Sequence, residues 1–216
     1  MTPYFRVFCT PVDLVTELVH VDDSRTRELL LNPPQTRHAG WTIWGADEII
    51  ASQEGLEAVG VHGRRLFLLK NGHIEYWEPC RSETFQWAQS DQERALHPWL
   101  YDYAVTELTV NFTRLASLIY KHLHLSTDVV FGVALYSIQG FILMPYGPRT
   151  LEFHSPSESS SIKPYTKQDL RIPPVRTSIP FEPDRAAFEM VKSVYNAFGF
   201  AEGNMRLFDS ECRFQP

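Results

Sequence analysis

The stretch from Val105 to Tyr146 constrains the fold of this chain more than any other. In its first part Leu108, Phe112, Leu115, Ile119 and Leu123 recur at spacings of four, three, four and four. That is the period of one helical face, and Val105, Ala116 and Leu118 widen the stripe. Lys121, His122 and His124 gather at its end, where cations suit the negative pole of the helix dipole. A run from Val129 to Tyr146 then carries no charge at all. Its length approaches that of a membrane-spanning helix. However, Ser137, Gln139 and Gly140 interrupt its middle, Pro145 stands near its end, and β-branched and aromatic residues dominate it. The pattern predicts a buried antiparallel strand pair, 128–136 and 141–144, joined at Gln139-Gly140.

The rest of the chain supplies partners for that unit. Tyr4 to Cys9 alternates as a short strand, and Asp22-Asp23-Ser24 caps a helix that Asn32-Pro33-Pro34 stops. A helical turn is expected at 46–52. Residues 56–61, 65–70 and 73–78 read as an antiparallel meander, with Gly63 in its first turn. Asn71-Gly72 is expected to supply the two positive-φ positions of a type I′ turn. Ala187, Phe188, Val191, Val194, Tyr195 and Phe198 mark a last amphipathic helix, ended by Gly199. The predicted class is α+β: antiparallel hairpins packed with two long amphipathic helices, about 105–123 and 184–199. The organisation expected is a body over 1–146, a proline- and serine-rich arm or loop over 147–182, and a helix and tail over 183–216 that packs on the body or on a partner. Together they make one domain, a size that suits 216 residues of which 44% are hydrophobic and 21% charged.

Several chemistries lack support. The formal net charge of −6 is the wrong sign for a protein held to nucleic acid mainly through phosphates. Cys9, Cys80 and Cys212 are far apart and odd in number, which suggests reduced thiols in a cytoplasmic protein rather than a disulfide framework or a zinc site. The N-terminus lacks the basic start and apolar core of a signal peptide. No phosphate-binding loop, nucleophile elbow or zinc-protease helix occurs. No cofactor, metal or membrane partner is expected.

The catalytic candidates are His97 with Asp102, as a base and its orienter, and His62 with His73 flanking the β-hairpin. Glu75 and Glu78 lie three apart and should point to opposite faces of a regular strand. His122 and His124 diverge by about 200° on a helix, so they cannot share a metal there. Five tryptophans all lie in the first half and offer a surface for stacking bases or gripping a partner; Trp41 and Trp44, with Phe208 and Phe214 of the tail, are the partner-binding candidates. Arg149, Lys163, Lys167, Arg171 and Arg176 on the arm are candidates for binding nucleic acid.

Four stretches carry a resemblance: NGHIEYWEP from Asn71, YDYAVTELTVNFTRLASLIY from Tyr101, GVALYSIQGFILMPYGP from Gly132 and DRAAFEMVKSVYNAFGF from Asp184. They resemble the bacterial region that accompanies AlbA-like (Schlafen-like) DNA-binding modules, over about residues 56–200. These are framework pieces rather than catalytic signatures. The fifty or so residues before the β region do not carry the AlbA-like module, so its DNA-binding residues have no counterparts here. The resemblance implies the accessory half of a system that regulates or defends against foreign DNA. Three function classes stay open on the residues: a non-catalytic assembly subunit with another protein as partner, a nucleic-acid-binding accessory subunit, and a small metal-independent hydrolase or nuclease with a His/Asp site.

Overall fold

The computed structural model describes residues 2–13, 17–36, 48–60, 63–81, 84–86, 98–144, 163–202 and 205–215. In chain order the elements are β1 (Tyr4–Pro11), α1 (Ser24–Leu31), β2 (Glu48–Ala51), β3 (Gly55–Val59), β4 (Arg65–Leu69), β5 (Ile74–Pro79) and β6 (Trp99–Tyr101). Then follow α2 (Asp102–His122), β7 (Asp128–Tyr136), β8 (Ile142–Met144), β9 (Leu170–Arg171), β10 (Val175–Ser178) and α3 (Pro183–Ala197). The class is α+β. Eight strands form one antiparallel sheet in the order β10-β7-β1-β5-β4-β3-β2, and β9 pairs with β7 beside β10.

The alternation of β1 decides how the sheet is used. Phe5, Val7 and Cys9 are fully buried on one face, whereas Tyr4, Arg6, Phe8 and Thr10 are half-buried on the other. The registers carry that division across the sheet. Leu66 and Leu68 of β4, Ile74 and Tyr76 of β5, and Phe131, Val133 and Leu135 of β7 join the first face. The helices pack there, with α2 and α3 also packed on each other. Among the described residues, no helix packs on the opposite face, called the open face below.

The meander forms as expected, but three local predictions are corrected. Residues 48–51 make an edge strand and not a helical turn, because Ile49 and Ile50 extend the ladder beyond β3. The loop at Asn71-Gly72 is not a two-residue turn: Leu69 N–H bonds His73 C=O at 2.8 Å, Gly72 N–H bonds Leu69 C=O at 2.9 Å, and only Gly72 takes a positive φ, of 83°. This is a three-residue loop in which Gly72 alone needs the left-handed region. Finally, β7 and β8 do not pair. β8 runs parallel to β6, while both edges of β7 are taken by β1 and by β9 with β10. The uncharged stretch is therefore buried in two different sheets, and among the described residues no helix is long and apolar enough to cross a membrane.

The helices also differ from the predicted two long amphipathic ones. There are three among the described residues, of 8, 21 and 15 residues. The longest, α2, has no solvent face over most of its length: Thr106, Glu107, Thr109, Asn111 and Thr113 are as buried as Leu108 and Phe112. Small hydroxyls make this tolerable by bonding the helix's own carbonyls, Thr109 to Val105 at 2.7 Å and Thr113 to Val110 at 2.9 Å. Glu107 accepts a hydrogen bond from the Thr36 hydroxyl.

Of the arm or loop expected over 147–182, residues 147–162 lie outside the described residues, and residues 163–182 lie against the body, with β9 and β10 completing the sheet edge. The tail is tied down as well. Asp184 at the start of α3 takes two hydrogen bonds from Arg114 of α2, at 2.9 and 2.8 Å, and a third from Phe214 N–H at 3.0 Å.

At the other end, the Asp23 carboxylate caps α1. It accepts from the backbone N–H groups of Arg25 and Thr26 and from the Thr26 hydroxyl, and it meets His122 Nε2 at 2.5 Å. The Thr26 hydroxyl and then His122 overcome its partial burial and hold its pKa at about 2, below the ordinary 3.8. A folded-state pKa below the unfolded one means the contribution is full above the unfolded value and is lost as pH falls toward 2. Asp23→Ala should cost about 1 kcal/mol near neutrality. In urea titrations the gap to the parent should shrink between pH 4 and pH 2; a gap independent of pH would count against the capping carboxylate.

Candidate interaction surface

The open face of the sheet carries a row of rings standing side by side across three strands. Tyr4 of β1 lies between Trp77 of β5 and Tyr136 of β7, with centroid separations of 4.9 and 4.6 Å and interplanar angles of 8° and 20°. Phe67 of β4 meets Trp77 edge-on at 6.3 Å, and the Arg171 guanidinium sits 5.3 Å over the outer side of Tyr136. Rings one strand spacing apart can stack only by standing up from the sheet. Their faces are thus used by one another, which leaves ring edges for a partner. Burial, followed by the neighbouring Tyr136, raises the pKa of the Tyr4 phenol, so it stays a neutral donor.

Beside this row lies a polar cluster centred on Glu75, which is 7% exposed. Its carboxylate accepts from Arg6, from the Trp77 indole N–H and from His73, whose Nε2 lies at 3.0 Å. The other ring nitrogen of His73 meets Thr10 Oγ1 at 2.7 Å. Burial works to raise the Glu75 pKa, but the bonds from His73 and Arg6 outweigh it and the net shift is downward. A carboxylate so committed orients its neighbours and is a poor base. Arg6 also covers the Phe8 ring at 5.0 Å, and that ring lies against Gly132. Arg65 pairs with Glu57 at 3.1 Å and Arg176 with Asp128 at 2.8 Å. The cations of this face are neutralised one by one until its β9 end.

There the pattern changes. Residues 163–171 and the C-terminal end of α3 enclose a hollow of about 450 Å³, lined among others by Lys163, Tyr165, Lys167, Asp169, Arg171 and Phe198. Backbone bonds fix its wall: Tyr165 N–H to Phe141 C=O at 2.7 Å and Gly140 N–H to Tyr165 C=O at 2.8 Å. The Asp169 carboxylate accepts from Ser137 N–H at 3.0 Å. Among the described residues, Lys163, Lys167 and Arg171 form no ion pair. A second hollow of about 350 Å³ lies between Asp13, Asp128 and Arg176.

The structure sorts the sequence candidates as follows. Lys163, Lys167 and Arg171 meet at one hollow, whereas Arg176 stands at the other, bound to Asp128. Phe208 and Phe214 are not presented to a partner. They are buried, edge to face with each other and with Phe188 and Tyr103, because the tail folds back on α2 and α3. Asp102 is buried at the start of α2 and accepts from the Tyr195 hydroxyl. His73 lies on the opposite face of the sheet, so these two candidates do not converge. His62, His97, Trp41, Trp44 and Arg149 lie outside the described residues. Among the described residues no group of three potential metal ligands occurs. Glu75 and Glu78 do point to opposite faces, the first into the polar cluster and the second into the core.

The ring row and the Glu75 cluster were missed from the sequence. The signal available was parity: Tyr4, Arg6 and Phe8 alternate with buried residues, as do Glu75 and Trp77. Comparison with family models, with curated proteins and with solved structures found no match.

Proposed function

We propose that this chain is a non-catalytic docking subunit of a prokaryotic multi-protein system, set in DNA-associated regulation or defence, and that a folded partner protein covers the open face of the sheet. The observation that carries the reading is the Trp77–Tyr4–Tyr136 row closed by Arg171. Tyrosine, tryptophan and arginine are the residues that dominate binding energy at protein interfaces. Pairwise neutralisation of Arg6, Arg65 and Arg176 suits a protein surface better than a polyanion. The stacked rings leave no free faces between them for bases, which a strand of nucleic acid would need. The three free thiols, two of them buried, support a cytoplasmic setting.

The hydrolase alternative loses ground. Thr10, His73 and Glu75 do form a hydroxyl–imidazole–carboxylate chain, but Glu75 is held by Arg6 and Trp77 as well, and His73 lines neither hollow.

The test is a photo-crosslinking residue at Tyr136 in the native host, with Leu118 on α2 as the control position. The expected result is one discrete protein adduct from position 136, absent from position 118 and lost on Trp77→Ala. An adduct of two copies of this chain, a nuclease-sensitive adduct, or equal adducts from both positions would overturn the reading.

A further inference from the structure

We propose that the hollow between residues 163–171 and the end of α3 binds a phosphate ester of about nucleotide size. This goes beyond docking on the sheet and does not depend on it.

Three observations carry it. First, the arginines elsewhere on the open face are each bound to a carboxylate, yet Lys163, Lys167 and Arg171 converge on one hollow without an ion pair among the described residues. In a chain of net charge −6, unpaired cations gathered in one place are a departure. Cations near a helix C-terminus also have a structural use, since they offset the negative end of the dipole. That end amounts to roughly half an elementary charge. Together with Asp169 it does not cancel three cations, and among the described residues a positive excess remains. Second, the volume of about 450 Å³ falls within the span of small-ligand sites. Third, the wall is partly aromatic: the Tyr165 and Phe198 rings lie 5.1 Å apart at 38°, and both line the hollow.

A single carboxylate would need one cation. A terminal phosphate carries close to two negative charges and three acceptor oxygens. It can accept a forked pair of bonds from Arg171 and point-charge contacts from the two lysines. The rings offer a surface to the organic part of the ester. The ester has two possible sources, a free nucleotide or the phosphorylated end of a strand.

The experiment titrates the full chain with adenosine 5′-monophosphate, with adenosine, and with a 5′-phosphorylated oligothymidylate by calorimetry. It is repeated on Lys167→Glu, Arg171→Glu and Arg176→Glu, each checked for an unchanged circular dichroism melt. Lys167→Gln replaces any variant that fails this check. The monophosphate, the strand or both should bind, and adenosine alone should not. Lys167→Glu and Arg171→Glu should each weaken binding at least tenfold, while Arg176→Glu leaves it unchanged. Binding of the strand should fall only about fivefold per decade of salt if its terminal phosphate alone is neutralised. The monophosphate binding alone identifies a free nucleotide, and the strand binding alone identifies a strand end. No binding by either, or binding equal in parent, Lys167→Glu and Arg171→Glu, overturns the proposal.

Discussion

Glu78→Ala should destabilise the chain by roughly 3–5 kcal/mol, the cost of stranding the partner of a buried ion pair. The Glu78 side chain is fully buried on the core side of β5, and Arg64 reaches it from the β3–β4 connection with its Nε at 2.7 Å. The Tyr76 hydroxyl donates to the same carboxylate at 2.5 Å, and Arg64 also donates to Thr84. Removing the carboxylate leaves a guanidinium that is 12% exposed and a buried hydroxyl without their acceptor. For a chain of this size the loss corresponds to a fall in melting temperature of roughly 10 °C. Replacing both members, Arg64→Met with Glu78→Met, should cost less than Glu78→Ala alone, because a buried pair offsets little more than its own desolvation. If the double variant is the less stable of the two in denaturant titrations, the pair has a larger net worth than that account allows.

The second large effect is expected from one methyl group. Gly55 opens β3 with φ of 154°, where a side chain is strained. A Cβ built there would stand 2.2 Å from the Leu68 carbonyl oxygen and 2.7 Å from Leu69 Cα. Those atoms belong to the backbone of β4, so no rotamer change relieves the clash. Gly55→Ala should cost roughly 3 kcal/mol in strain, or part β3 from β4. Hydrogen exchange separates it from a global loss: protection should fall first in β2 and β3 while β1 and β7 stay protected. Unchanged protection and stability would refute the steric argument.

Much of this architecture was legible. The alternation in β1 and β5, the 3.6-residue period of α2 and the capping aspartate of α1 are local signals, and local physics decided them. The parallel pairing of β6 with β8 was not legible, because an uncharged run tells that a strand is buried and not beside which strand. Residues 163–182 look like a loop because of Pro173, Pro174 and Pro180, yet edge strands accept prolines beside them. The tail aromatics misled for the opposite reason: an apolar tail reads the same whether it docks on its own body or on another. For the surface, the cations of the hollow were visible as a cluster along 163–171, but that none of them forms an ion pair among the described residues depends on which strands lie adjacent. Tyr4, Trp77 and Tyr136 come from three remote stretches, and only the registers of β1 with β5 and β7 bring them together.

That central position of β1 also sets an order of assembly. Tyr4 finds Pro79 on one side and Tyr136 on the other, so the first strand made waits longest for its second neighbour. The β2–β5 ribbon is sequence-local and can form early. Joining it to β7 requires β1 as the seam between two halves of the sheet, closed only after a loop of more than a hundred residues has been brought round. Anything that occupies β1 during synthesis, a chaperone or a neighbouring chain's free edge, would hold the molecule as two separate pieces of sheet, with the Tyr4 ring and both of its stacking partners left apart.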